Sequence, residues 1–172
     1  GEFNKIINGK PDWVNEEEFV CDRSLTFNAD NTMLCWIRYD ESEVPEFSFP
    51  WYKGLSPERQ EYLTYPGAYT YKYPMAGEQN SKVSVLSYDI KSHQTRTMQV
   101  PLDKDGYIPR IFMTSDPSKL AVVTLNRHQD RMDIYMANPR STEARLAVRD
   151  QVDKYIGENA CNQMQFFAGG FA

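Results

Sequence analysis

The stretch Leu120-Ala121-Val122-Val123 is apolar without a break and follows the polar turn Thr114-Ser115-Asp116-Pro117-Ser118. A short apolar run beside a turn is typical of a β-strand that is covered on both faces. The segments that follow it alternate apolar and polar residues, which indicates strands with one exposed face. We therefore predict four strands between residues 107 and 150, at Tyr107–Met113, Leu120–Asn126, Met132–Ala137 and Ala144–Asp150.

Four antiparallel strands in about 40–50 residues correspond to one blade of a β-propeller. The same pattern occurs earlier in the chain, because strands predicted at Leu25–Phe27 and Met33–Tyr39 flank a similar turn, with Asp30 placed like Asp116, 86 residues later. The next hairpin repeats at a shorter offset of 48 residues, which matches Asp89 to Ala137. Self-similarity of this kind indicates a repeat architecture.

The two offsets differ because the first copy holds 38 additional residues, in residues 41–81. This segment, which we call the arm, contains five prolines and many aromatic residues. It is too long for a neutral loop and too aromatic for a disordered one. We interpret it as an arm that contacts a partner; the alternative is a proline-rich flap folded onto its own blade.

The predicted fold class is therefore all-β, a partial β-propeller with two four-stranded antiparallel blades. Gln163-Met164-Gln165-Phe166-Phe167 predicts the first strand of a third blade. Two blades and the first strand of a third would leave two blade faces without a neighbouring blade, so we expect the chain to be a fragment of a larger propeller. The predicted division is 1–24 for a linker and a short helix, 25–100 for a blade with the arm 41–81 inserted, 107–150 for a complete blade, and 155–172 for the start of the next.

An acidic run, Asp12-Trp13-Val14-Asn15-Glu16-Glu17-Glu18-Phe19, stands out in the first 24 residues. No lysine or arginine lies between Pro11 and Cys21, so three adjacent carboxylates repel one another and favour a cation. Asp12 is predicted to cap a short helix whose first turns carry the glutamates. The alternative interpretation is a solvated helix turn without a ligand.

Four landmarks in order resemble the β-propeller domain of dipeptidyl peptidase IV, a serine exopeptidase of the prolyl oligopeptidase family. They are Asn8–Glu18, Asn31–Trp36, Asp40–Pro45 and Tyr73–Gly77. The resemblance is dense from residue 6 to 77 and thinner to residue 150. In that family the double glutamate of the Asp-Trp-Val-x-Glu-Glu-Glu run binds the free amino terminus of a peptide substrate. The matching residues are Glu17 and Glu18; Asn15 departs from the tyrosine common at its position.

The resemblance implies the substrate-recognition part of a serine dipeptidyl peptidase that releases X-Pro or X-Ala dipeptides from peptide amino termini. It places the catalytic serine, aspartate and histidine in a separate α/β-hydrolase domain, so we expect no catalytic residue in this chain and no activity from it alone. It also implies a homodimer formed through residues 41–73 and an exported protein, which would be periplasmic or at the cell surface if the source is bacterial. Two other interpretations are a non-catalytic propeller scaffold and a related oligopeptidase or tripeptidyl peptidase.

Several classes of function have no support in the sequence. The net charge of −5 disfavours a nucleic-acid partner, and no run of 18 apolar residues predicts a membrane segment. The start of the chain lacks the pattern of a signal peptide. The three cysteines lack metal-ligand spacing, so we expect free buried thiols, no metal site and no cofactor. His93 and His128 lie in predicted turns, and no Gly-x-Ser-x-Gly segment occurs.

Overall fold

The computed structural model describes residues 1–52, 65–162, 164–167 and 170–171. Antiparallel strands dominate it, and the predicted all-β fold class, a partial β-propeller, is confirmed. The elements are β1 Ile6–Asn8, α1 Trp13–Glu17, β2 Leu25–Phe27, β3 Met33–Asp40, β4 Glu46–Trp51, β5 Gly67–Lys72, β6 Lys82–Asp89, β7 Gln94–Thr97, β8 Tyr107–Met113, β9 Leu120–Leu125, β10 Arg131–Ala137, β11 Ala144–Gln151, a 3-10 helix Glu158–Asn162, β12 Phe166–Phe167 and β13 Gly170–Phe171.

The second sheet contains β8 to β11 in the order β11-β10-β9-β8, all antiparallel. All six residues of β9 are buried, as its uninterrupted apolar sequence predicts. The outer strand β11 is almost entirely exposed. The four strand boundaries differ from those predicted by one residue at most, because each strand is bounded by a polar turn that the sequence shows directly.

The first sheet is built around β3, whose residues alternate between buried and half-buried. On one side β3 pairs with β6, which pairs with β7; on the other side it pairs with both β1 and β2. β1 lies opposite residues 38–40 and β2 opposite residues 34–36, so the two are successive pieces of one interrupted strand. Residues 9–24 form an excursion from this strand. We predicted a linker and a helix for residues 1–24, and the structure also places Ile6–Asn8 in the sheet.

The two sheets pack face to face through a shared core. Buried side chains of β3, such as Ile37 and Tyr39, belong to the same hydrophobic cluster as Ile108, Leu120 and Val122 of the second sheet. Each such side chain contributes about 1.5–3 kcal/mol through burial. Polar groups tie the sheets as well, listed by donor and acceptor: Asn28 Nδ2 to Pro117 O (2.9 Å), Ser87 Oγ to Pro139 O (2.7 Å) and Arg140 Nη1 to Asp89 Oδ2 (2.6 Å).

The internal repeat is visible in the turns. Asp30 Oδ1 accepts bonds from the N–H and hydroxyl of Thr32, and Asp116 Oδ1 accepts the same pair from Ser118. In the next hairpin Asp89 and Asn138 both accept from the backbone two and three residues ahead. These two residues lie 49 positions apart, so the structure corrects the predicted offset of 48 by one residue.

The arm lies between two strands of the first sheet, since β3 ends at Asp40 and β6 begins at Lys82. Its described part contains β4 and β5, which form a two-stranded antiparallel ribbon with aromatic side chains stacked along it. Residues 53–64 of the arm lie outside the described residues, as does Gln163 of the strand predicted at 163–167. Near the end of the chain, β12 and β13 form an antiparallel ladder of two residue pairs. The start of a third blade stays a prediction.

The three cysteines, Cys21, Cys35 and Cys161, are buried and unpaired, which confirms the expected free thiols. Burial raises the pKa of Cys35 to about 12 and that of Cys161 to about 11, so both stay protonated and unreactive near neutral pH. No helix in the described part of the chain is long and apolar enough to cross a membrane.

Candidate functional site

The predicted cap of α1 is confirmed. Asp12 Oδ1 accepts hydrogen bonds from the backbone N–H of Asn15 at 3.0 Å and from its side-chain Nδ2 at 2.7 Å. Asn15, which stands where the resemblance has a tyrosine, is buried. Because the helix has only five residues, Glu17 is its last residue and Glu18 its C-cap.

Glu17 and Glu18 are both exposed, one after the other, at the end of α1. Within the described ranges, no lysine or arginine forms an ion pair with either carboxylate. Burial, Tyr73 and Tyr69 raise the pKa of Tyr71 in the arm, and the negative charge of Glu17 adds to the increase. The pair is therefore a local excess of negative charge without an internal counterion among the described residues.

The segment just after the glutamates is fixed to the second sheet. Phe19 is 1% exposed and its ring meets that of Tyr107 edge-on, with centroids 5.4 Å apart. Arg110 of β8 donates from Nη2 to the carbonyl oxygens of Phe19 and Val20, each at 2.8 Å. The Cys21 N–H bonds to Asn15 O at 3.0 Å and closes the end of the helix.

The arm packs against the opposite side of the helix. The rings of Trp13 and Tyr73 have centroids 4.2 Å apart, and Tyr73 in turn contacts Phe47 of β4. A cavity of about 520 Å³ lies between the helix and the ribbon. Its walls include Trp13, Glu16, Glu41, Trp51, Tyr69 and Tyr71.

Residues 9–24, which carry the helix, begin and end at two residues that hydrogen-bond within the first sheet; we call this pair, Gly9 and Ser24, the neck. The Gly9 N–H bonds to Ile37 O at 3.0 Å, the Ser24 N–H to Gly9 O at 3.0 Å, and the Ile37 N–H to Ser24 O at 2.9 Å. Gly9 has φ +71°, and a Cβ there would lie 2.9 Å from the Leu25 side chain. Glycine is required at this position because any side chain would strain the backbone and crowd the strand.

The sequence predicted the glutamates and the cap, but not the residues that hold them. Arg110 was missed, although a lone charge in the apolar strand Ile108-Pro109-Arg110-Ile111-Phe112 was an available signal. The two histidines lie in turns as expected, and His93 Nδ1 is 2.6 Å from the hydroxyl of Tyr88. No group of three potential metal ligands occurs among the residues that the structure describes.

Comparison with known proteins identifies the family. The family model for the dipeptidyl peptidase IV (DPP IV) N-terminal region matches residues 1–171. The chain belongs to this family. This DPP IV N-terminal region resembles the crystal structure of Porphyromonas gingivalis dipeptidyl peptidase 4 with a TM-score of 0.90 and 40% identity, over 99% of this chain and 23% of that one.

Curated relatives of the DPP IV N-terminal region agree with this assignment. Dipeptidyl peptidase 4 of Trichophyton rubrum is 32% identical over 88% of this chain and 20% of its own length. The probable dipeptidyl-aminopeptidase B of Aspergillus oryzae is 31% identical over 82% of this chain and 16% of its own length. The chain thus spans about a fifth of the length of these relatives.

Proposed function

We propose that this chain is the substrate-recognition part of a serine dipeptidyl peptidase, in which Glu17 and Glu18 bind the free amino terminus of a peptide. The observation that carries the proposal is the pair of adjacent, exposed carboxylates at the end of a helix that is fixed on three sides. The family supports it, because proteins named dipeptidyl peptidases share this region.

The chemistry of the pair suits an α-ammonium group. Such a group has N–H donors for both carboxylates and one left for another acceptor. At about 4 Å and an effective dielectric constant near 20, each contact has a gross attraction of about 4 kcal/mol, from which the cost of desolvation is subtracted. The remainder favours peptides with a free amino end over peptides with a blocked one.

Binding the amino terminus at a fixed place makes an exopeptidase select the bond that it cleaves. The distance from Glu17 and Glu18 to the nucleophile then decides how many residues are released, and positioning is the whole contribution of this region. In the proposal, the nucleophile belongs to an α/β-hydrolase domain of the same protein. The preference for proline or alanine at the second position, dimerisation through residues 41–73 and export are parts of the proposal that rest on the family resemblance.

The test uses the full-length enzyme with Glu17→Gln and Glu18→Gln, assayed on dipeptide substrates with a free amino group. Each variant should raise KM about 10- to 100-fold, since losing a charged hydrogen bond costs about 1.5–3 kcal/mol. Glu78→Gln is the control, because Glu78 is exposed and does not line the cavity beside the helix. An unchanged KM in both variants would remove the assigned role.

The second candidate is a non-catalytic scaffold that uses the arm as its contact surface. The exposed aromatic residues of the ribbon, among them Phe49 and Tyr69, favour it. The two candidates differ in the parent gene. A downstream Gly-x-Ser-x-Gly segment supports the peptidase, and its absence supports the scaffold.

A further inference from the structure

We propose that Arg110 is a positioning residue for the glutamate pair, an inference that rests on the proposed function. It belongs to the second sheet, about 90 residues from the helix in sequence, yet it bonds to the backbone directly after Glu18. Its task is to hold the carbonyl groups of Phe19 and Val20, and thereby the direction in which the helix presents Glu17 and Glu18.

The backbone at Val20 shows why such a contact is needed. Val20 has φ +51°, in the left-handed region that β-branched residues strongly avoid. Val20 is also exposed, so no burial of its side chain holds it there. Without a partner for its carbonyl, this residue would return to an ordinary conformation, and the chain two residues earlier would turn with it.

The geometry of β8 directs Arg110 to this place. Tyr107 lies opposite Leu125 and Arg110 lies opposite Val123, so β8 holds one residue more than β9 between these pairs. This bulge contains Pro109, which has no N–H to give to the ladder. Bulges change the direction of the side chain that follows, and here that side chain reaches the carbonyls of Phe19 and Val20, just after α1.

Phe19 and Arg110 have separate tasks in this arrangement. The buried ring of Phe19 anchors the segment in the apolar cluster of the second sheet, with Val123, Leu125 and Ile134. A buried ring fixes where the chain lies, but it leaves the peptide planes on either side free to rotate. Arg110 bonds to both carbonyls at 2.8 Å and fixes that rotation.

The test uses the full-length enzyme with Arg110→Met and Arg110→Lys. For dipeptide substrates with a free amino group, Arg110→Met should raise KM about ten-fold with kcat changed less than two-fold. Arg110→Lys keeps the charge but loses the Nη2 group that bonds to both carbonyls, so it should fold and raise KM by a smaller factor. Arg145→Met is the matched control: it removes an exposed arginine of the same sheet that bonds to no part of α1 in the described structure, and its KM should stay at the wild-type value.

A double-mutant cycle separates positioning from a general loss of stability. In a Glu17→Gln, Glu18→Gln background, Arg110→Met should leave KM within two-fold of its value in that background, because Arg110 acts through the two glutamates. A KM increase of the same factor in both backgrounds, or an unchanged KM in Arg110→Met and Arg110→Lys alone, overturns the proposal. If the glutamate variants alone leave KM unchanged, the proposed function itself fails, so the two failures are distinct.

Discussion

Glu41 is a buried carboxylic acid at the base of the arm, only 7% exposed and in the wall of the cavity beside α1. Burial, and then the negative charge of Asp12, raise its pKa, while Lys72 opposes the increase. The folded protein therefore binds this proton more tightly than the unfolded chain, in which the pKa of a glutamate is about 4.3. As the pH rises through the folded pKa, Glu41 must ionise while buried, and stability is lost.

Replacing Glu41 by glutamine should accordingly stabilise the protein at pH 7 and have no such effect near pH 4. The free energy of unfolding, measured by denaturant titration from pH 4 to pH 8, should show a difference between variant and wild type that grows with pH. Glu78→Gln is the control, since Glu78 is exposed. A difference that is the same at every pH would contradict the assignment of the raised pKa to Glu41.

Among the strands, β10 and β11 are joined by a charged pair that has the opposite pH dependence. Asp133 accepts from Arg149 Nε at 2.7 Å and from Arg149 Nη2 at 2.9 Å, and Arg131 lies 3.5 Å away. The hydrogen bond from Arg149 is the main cause that lowers the pKa of Asp133. Its contribution is complete above the unfolded pKa of about 3.9 and is lost as the pH falls through the lower folded value.

We expect Asp133→Asn to reduce the free energy of unfolding by about 2 kcal/mol at pH 7, because it removes charged hydrogen bonds from a buried carboxylate whose partner Arg149 is half exposed. The reduction should shrink below pH 4, where the wild-type carboxylate is protonated too. Thermal unfolding followed by circular dichroism measures both. Asp150→Asn, at an exposed position of β11, should change the free energy of unfolding little. An equal loss in that variant would contradict a stabilising role of the pair Asp133 and Arg149.

The strands were predictable because their information is local. Apolar runs, alternating polarity and the Asp-containing turns predicted β2, β3, β9 and β10 almost to the residue. What escaped the sequence depends on contacts between distant segments. The three residues of β1 pair with the far end of β3, and Arg110 reaches carbonyls about 90 residues away. The glutamates themselves were recognisable, but the conformation that presents them is decided by partners that sequence spacing does not reveal.

In the intact protein, the arm offers a test of assembly. Its ribbon can be removed cleanly because the Tyr73 N–H bonds to Pro45 O at 2.9 Å, so a two-residue Asn-Gly turn can replace residues 46–72. Tyr73 is kept, and so is its contact with Trp13. If the arm forms the dimer, the shortened full-length protein should be a monomer by light scattering. A dimer of unaltered mass would instead support a flap that covers its own blade.

For the molecule as a whole, the repeat in the sequence predicted two similar four-stranded sheets. The family resemblance indicated that these sheets are blades of a β-propeller. The number of blades in a complete propeller could not be predicted, because each blade in a repeat protein carries information only about its neighbours. The one-residue error in the offset of the second hairpin has a similar origin. Asp89 and Asn138 differ in type and share only their hydrogen bonds to the turn.

The closed neck between Gly9 and Ser24 has a consequence for how such proteins can vary. The chain leaves the first sheet at Gly9 and returns to it at Ser24, and these two residues are hydrogen-bonded to each other. The segment between them can therefore be lengthened, shortened or exchanged without a change in the strand order of the sheet. Residues 10–23 thus form a segment that can be exchanged as one unit. Transplanting them into another propeller with an interrupted inner strand would transfer the acidic pair, provided that the recipient's next blade also supplied an arginine for the carbonyls at the end of the helix.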